Sequence, residues 1–224
     1  MVKQSIAAAS VKQLIVKADD FGTHPDINHG IHKAVMAKRI SAVSVMINGH
    51  IFPSEIRFLK KARVGLGLHI DLGKRETWNN YLSPVKRKKV LDQIQKFKYN
   101  FGFKPMHIDG HYNVHLEDKD VFSCVIEFAR ENDIYVRGRG EYINVLKRLG
   151  IRTCDYFLDS LREEPAKLLA NAKEGLNELM MHPGFYYPGT EYPDSLTKDR
   201  QRDLDFLLSN EFEDILKQNG IELV

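Results

Sequence analysis

Reactive side chains gather at a few points along the 224 residues. Asp19 and Asp20 stand together after one apolar run, and His69 and Asp71 close another. His107, Asp109, His111 and His115 follow a third, Arg137 and Arg139 a fourth, and His182 a fifth. One carboxylate with two neutral imidazoles and room for water suits a divalent ion. Zinc or another first-row metal fits best, and magnesium is less natural for imidazole. A second carboxylate, held beside such an ion but not on it, would take a proton from a water whose pKa the ion lowers. That is a hydrolytic pattern. Single pieces have plainer explanations: an Asp pair can cap a helix, and a lone His69 can be a satisfied core residue. The run from His107 carries more weight. In an extended segment His107, Asp109 and His111 share a face. Three polar groups aimed into a core need a metal or a hydrogen-bond network; the alternative is an exposed histidine-rich loop.

The elements that must position these residues alternate. Apolar runs at Gln13–Ala18, Ala42–Ile47 and Val64–Ile70 predict strands, with helical spacing over Ile27–Lys38 and Ser54–Ala62 between them. A helix over Val85–Tyr99 precedes a strand at Met106–Asp109. Helix and strand then alternate through Lys119–Glu131, Ile134–Arg137, Tyr142–Leu149, Cys154–Leu158, Pro165–Ala172 and Asn177–Met181. An amphipathic stretch at Lys198–Leu208, a second short helix and a closing strand at Ile221–Val224 complete the pattern. This order predicts an α/β fold, a (β/α) barrel of seven or eight parallel strands like the TIM barrel, with an open doubly wound sheet as the alternative. Near-continuous apolar strands predict a sheet covered on both faces. No linker divides residues 1–224, which read as a single domain. The reactive residues fall at strand ends, which converge on one rim of such a barrel.

Composition is that of an ordinary globular protein. A net charge of +3 gives no footprint for nucleic acid, and the basic run Lys86–Lys89 reads as a solvated helix face. Cys124 and Cys154 are distant and flanked by apolar residues, as buried reduced thiols are. Met1–Ser10 lacks an apolar core long enough for a signal peptide, and nothing later approaches a membrane span, so a cytoplasmic location is expected.

The segments Ala18-Asp19-Asp20-Phe21-Gly22, Gly67-Leu68-His69, His107-Ile108-Asp109-Gly110-His111 with His115, and Met181-His182-Pro183-Gly184 together resemble the YdjC-like carbohydrate deacetylases, relatives of the NodB-type polysaccharide deacetylases. The resemblance spans Ala18 to Gly184, in the family's order. It implies a (β/α)-barrel hydrolase that removes acetyl groups from N-acetylated amino sugars or short chito-oligosaccharides, using one divalent metal ion, zinc or magnesium. By position Asp20, His69 and His111 would be metal ligands, Asp19 the catalytic base, and His182 the acid that protonates the leaving amine. Arg137 would hold the base or meet substrate. Asp109 would orient an imidazole from behind, and His115 would contact substrate or join that support. Two places depart from the family pattern: Gly110 stands where many members have Ser, and Tyr112-Asn113 where they have His-His. Both bear on the sugar side of the site.

Trp78 and Tyr81 after the His69 strand, and Phe185, Tyr186 and Tyr187 after His182, are candidate sugar platforms; packing of their own loops is the other explanation. The partner expected is a small carbohydrate, not nucleic acid or membrane. Barrels of this kind often pair as homodimers, and the sequence neither requires nor opposes it. A metal-dependent sugar-phosphate isomerase or lyase would want a Gly-rich phosphate cradle late in the chain, which is missing. A non-catalytic sugar-binding barrel would have no need of Asp19 or His182.

Overall fold

The computed structural model describes residues 11–192 and 194–224; the leader reading of Met1–Ser10 concerns residues outside these. In chain order the elements are β1 (Lys12–Phe21), α1 (Pro25–Met36), β2 (Ala42–Val45), α2 (Pro53–Lys61), β3 (Gly65–Ile70), α3 (Arg75–Asn79), α4 (Ser83–Phe101) and β4 (His107–Gly110). After a 3-10 turn at His111–Asn113 come α5 (Val114–Glu117), α6 (Lys119–Asn132), β5 (Tyr135–Val136), α7 (Glu141–Arg148), β6 (Tyr156–Asp159), α8 (Pro165–Ala170), β7 (Gly175–Met181), α9 (Thr197–Leu208), α10 (Asn210–Asn219) and β8 (Ile221–Leu223). The short helices α3 and α5 carry no periodic signal long enough to be read from the sequence.

Among the described residues seven strands lie in the order β5-β4-β3-β2-β1-β7-β6, all parallel, and curl into a barrel-like layer surrounded by helices. The eighth strand shares β1. Residues Lys12–Leu14 pair with β8, whereas Lys17, Ala18 and Phe21 pair with β2. Strands β5 and β6 end the order without pairing to each other; near that seam the Val136 N–H donates to the Arg152 carbonyl at 2.9 Å.

The strands are less uniformly apolar than their sequence suggests, and the alternation is the reason. Side chains facing the helices are apolar: Leu14, Val16 and Ala18 on β1, Leu66, Leu68 and Ile70 on β3, and Leu179 and Met181 on β7 are all buried. The alternate residues face inward and include many polar or charged ones: Lys17 and Asp19, His69, and Glu178, beside the apolar Ile15 and Met180. The same period of two puts Ser44, His107 and Asp109 inside. A sheet wrapped by helices can bury both faces, yet here one is apolar and the other mixes apolar with charged side chains.

The helices account for other sequence features. Pro25 opens α1 behind the His24 cap, and the Asp118 carboxylate caps α6 by accepting from the Asp120 and Val121 N–H groups. In α4 the basic run is fully engaged. Lys86 is buried against Asp118, Arg87 pairs with Glu127, Lys88 with Asp92, and Lys89 lies over the Tyr81 ring. No helix among the described residues is long and apolar enough to cross a membrane. Cys124 and Cys154 are buried and free.

Candidate active site

A pocket of about 220 Å³ opens at the carboxyl ends of the strands, with Asp19, Asp20, His69, His111, Arg137 and His182 in its lining. One donor atom each from Asp20, His69 and His111 lies within 4.8 Å of the other two. Asp20 Oδ1 is 3.3 Å from His69 Nε2 and 3.1 Å from His111 Nδ1.

The chain reaches this arrangement by breaking its strand geometry. Neighbouring residues of a regular strand point to opposite faces, so Asp19 and Asp20 could not share a pocket. Asp20 has φ +69°, and the pairing of β1 with β2 shifts register between Ala18 and Phe21. A non-glycine residue in the left-handed region costs on the order of 1–3 kcal/mol and needs surroundings that hold it. Those are present. The Asp20 carbonyl accepts from Thr23 Oγ1 at 2.8 Å, and Arg200 of α9 donates to Asp20 Oδ2 at 2.7 Å. The following turn is pinned by buried Asn28, whose Oδ1 accepts from the Gly22 N–H at 2.6 Å. Gly22 has φ +108°, and a Cβ there would lie 2.7 Å from the Met46 carbonyl oxygen.

His69 is placed by register, since β3 pairs with β4 so that His69 stands beside Asp109. Their contact, Nδ1 to Oδ1, is 2.8 Å. His107 and Asp109 share the inward face as expected from alternation. His111 does not continue that strand: it opens the 3-10 turn, where Tyr112 and Asn113 both have positive φ (52° and 56°). The turn, not the pleat, brings His111 to the mouth. Gly110 precedes it with little room, because a Cβ would come within 3.0 Å of Val114 and 3.1 Å of His115.

Behind the pocket lies a buried charge network. Arg137 grips Asp19 with two hydrogen bonds, 2.6 and 2.8 Å, and its Nε donates to Glu178 at 2.5 Å. It also stands 3.1 Å from Asp109. Lys17 lies 3.1 Å from Glu178 and 3.5 Å from Asp109. Burial pushes the Asp109 carboxyl up, but the charges of Arg137 and Lys17 outweigh it and hold it well below the usual carboxylate range. Glu178 is likewise lowered to about 2, burial being overcome by Lys17 and Arg137. For Asp20, burial is overcome by hydrogen bonds from His111 and His69 and by the charge of Arg200. His69 is raised to about 10: burial opposes its charge, but Asp19 and the Asp109 and Asp20 contacts prevail.

The charges fit a cation. Asp19, Asp20, Asp109, Glu178 and Asp194 face Lys17, Arg137 and Arg200, a surplus of two negative charges with the imidazoles neutral. The high pKa of His69 expresses that surplus, and a divalent ion would take the place of its proton. Because Asp109 is ionised, His69 donates Nδ1–H to it, and an ion that displaced the Nε2 proton would find that nitrogen directed toward Asp20 and His111. The donor set of one oxygen and two nitrogens therefore suits a borderline divalent ion.

Three expected substrate contacts are elsewhere. Trp78 is 2% exposed, packs in the core with Arg75 against its ring, and offers no face to a sugar. Tyr186 lines a separate surface cleft with Lys198, Gln201 and Phe206. His115 is fully buried; its Nε2 lies 3.2 Å from the Arg137 carbonyl, so it braces that residue and cannot touch substrate. The aromatic ring at the rim is Tyr112, 47% exposed and packed 4.2 Å from the His111 ring. His182 lines the pocket, its backbone N–H donating to Asp203 at 2.8 Å. Lys17 and Glu178 do carry a sequence signal, as charges inside otherwise apolar strands. Arg200 and Asp194 gave no such signal. They pair with each other across the pocket wall, and Arg200 is buried amid the ordinary charge pattern of α9.

Fold and pocket together define a class: a parallel α/β barrel with a one-carboxylate, two-imidazole cluster at its carboxyl rim. The YdjC-like protein family matches residues 13–218, and this chain belongs to that family. A carbohydrate deacetylase of Clostridium beijerinckii is 28% identical, covering 95% of this chain and 98% of its own. Among solved structures, a protein of Enterococcus faecalis proposed to act in cellobiose-phosphate cleavage superposes with a TM-score of 0.79 at 21% identity, covering 96% of this chain and 97% of that one. A family 4 acetyl xylan esterase of Clostridium thermocellum, in complex with cobalt, gives 0.58 at 15% identity, covering 95% and 87%. Both likenesses concern the fold.

Proposed function

We propose that this chain is a carbohydrate deacetylase, acting as a single domain that hydrolyses the acetamide of N-acetylated amino sugars with the help of one divalent metal ion. The observation that carries the reading is the meeting of Asp20, His69 and His111 beside an Asp19 that Arg137 holds in place. The similar deacetylase of Clostridium beijerinckii supports the substrate class. Asp20 Oδ1, His69 Nε2 and His111 Nδ1 would hold the ion, with zinc or cobalt favoured over magnesium by the two imidazoles. When bound, it would polarise the acetyl carbonyl and acidify a water.

The chain's own residues do the rest. Asp19 accepts the proton of the attacking water, and its bidentate grip by Arg137 fixes the carboxylate for that transfer. His182 donates a proton to the departing nitrogen, so the C–N bond breaks to give acetate and a free amine. Asp109 keeps His69 in the tautomer that presents Nε2. Tyr112, at the rim, offers a stacking face to the sugar ring. Buried free thiols suit a reducing compartment such as the cytoplasm.

The test is acetate release from N-acetylglucosamine and its short oligomers by protein stripped of metal and then reloaded with Zn²⁺, Co²⁺ or Mg²⁺. Turnover that returns with one of these ions is expected. A reloaded protein that binds metal but releases no acetate from any of these sugars overturns the activity.

A further inference from the structure

Behind His69 the hydrogen bonds continue to the other end of the barrel. Asp109 accepts from His69 through Oδ1 and from the Ser44 hydroxyl through Oδ2 at 2.7 Å. Ser44 Oγ also meets His107 Nε2 at 3.0 Å. Directions follow from chemistry. The Ser44 proton is spent on ionised Asp109, so the contact with His107 requires an imidazole N–H as donor and the serine oxygen as acceptor. His107 is buried; burial, reinforced by the charge of Lys17, lowers its pKa to about 3, so it is neutral with the proton on Nε2.

The strand beside it is shaped for this ring. Gly67 stands two residues before His69 on the same face, and a Cβ there would lie 2.1 to 2.4 Å from His107 ring atoms. A glycine inside a strand sacrifices packing and chain entropy, and close approach of another group is the usual reason. His107 also borders a cavity of about 690 Å³ at the amino-terminal end of the strands, together with Ile15, Lys17, Met106 and Tyr135. That opening is wide enough for a free imidazole.

We infer that His107 is a positioning residue for the metal site, acting through Ser44 and Asp109 to fix the orientation of His69. This rests on the reading of His69 as a metal ligand. His107 and Ser44 touch neither the pocket nor its donor atoms. Without the His107 donor the Ser44 hydroxyl is held less firmly, which weakens the bond that, beside Arg137 and Lys17, sets the plane of Asp109. Direct outer partners of a ligand, such as Asp109, are worth about 10–100-fold in metal affinity; Ser44 and His107 act one and two hydrogen bonds further out.

The test is Co²⁺ affinity, measured by chelator competition and the Co²⁺ absorption spectrum, with folding checked by circular dichroism. Ser44→Ala and His107→Ala should bind Co²⁺ about 10-fold more weakly, the lower end of what a direct outer partner is worth. His107→Gln, which keeps an N–H donor near the Nε2 position, should stay close to the parent. Added imidazole should restore His107→Ala through the rear cavity and leave Ser44→Ala unchanged. Parent-like affinity in Ser44→Ala overturns the inference. So does a His107→Gln as impaired as His107→Ala with no rescue by imidazole, since packing alone would then explain the residue. If His107→Ala does not fold, Ser44→Ala and His107→Gln decide. A parent protein that takes up no Co²⁺ removes the ligand reading and this inference together. One that binds Co²⁺ but deacetylates nothing removes the activity alone.

Discussion

The two faces of the sheet are built on different physics. Toward the helices, Leu14, Val16, Leu66, Leu68 and Leu179 present apolar surface, each 2% exposed or less. Burying a side chain of that size stabilises by about 1.5–3 kcal/mol. Toward the barrel interior, Lys17, Asp19, Asp109, Arg137 and Glu178 are as deeply buried but charged. A buried ion pair often does no better than a hydrophobic pair of equal volume, because desolvation cancels most of the attraction. The inward face therefore contributes little stability. What it supplies is fixed direction: Asp19, His69 and Arg137 each have polar partners that leave one useful orientation. The outer face holds the fold, and the inner face aims it.

Replacing Asp19 with Asn gives the largest expected separation of the two roles. The side chain keeps its size and one hydrogen bond to Arg137 but loses the basic oxygen. Acetate release should fall by about 10³-fold, while Co²⁺ uptake persists. Parent-like turnover in Asp19→Asn would remove the base assignment. Arg137→Gln should come next. It strips the cation from Asp19, Asp109 and Glu178 together, and unpairing buried charge costs about 3–5 kcal/mol. A misdirected Asp19 should also lower kcat about 10²-fold in the molecules that remain folded. Urea melts and turnover per folded molecule separate the two losses. A variant that loses neither would mean that Arg137 is dispensable to both faces.

The inner face was partly legible in the sequence. In Leu14-Ile15-Val16-Lys17-Ala18-Asp19 and Asn177-Glu178-Leu179 a charge interrupts an apolar run, and a period of two sends it inward. Strand ends put His69 and His182 on one rim for the same reason, and Asp20 joins them through a left-handed residue that breaks the alternation. His111 reaches that rim through a left-handed turn that alternation does not foresee. Reading the strands as apolar on both faces missed the interior because short runs show mostly their hydrophobic members. Trp78 misled because an aromatic in a long connection looks the same whether its ring faces solvent or core; the unforeseen α3 turns it inward. Arg200 was invisible. Its partner Asp20 is 180 positions away, and nothing within α9 marks one arginine among its charges as buried.

Arg200 sharpens the contrast, because it comes from the outer layer of helices yet serves the inner face. It bridges Asp20 and Asp194, and so joins a proposed ligand to the pocket wall. Arg200→Gln should weaken Co²⁺ binding by about 10-fold, as loss of an outer partner does. The loss should be smaller at saturating metal, where acetate release recovers. Chelator competition followed by turnover at high Co²⁺ measures both. An unchanged affinity would leave Arg200 a packing residue.

The smallest effect on catalysis is expected from a residue adjacent in sequence to a proposed ligand. Leu68 precedes His69 but faces the helices, paired in register with Val45 on one side and Ile108 on the other. Leu68→Ala should cost about 2–5 kcal/mol of folding stability, the spread reflecting how far the helices close over the hole. Co²⁺ affinity and kcat per folded molecule should stay at the parent value, because His69 is oriented by Asp109 and not by Leu68. Urea midpoints beside chelator competition test this directly. If the cavity weakens Co²⁺ binding as well, the backbone of β3 must shift under His69. The division between a face that holds and a face that aims would then fail at the point where the two lie closest.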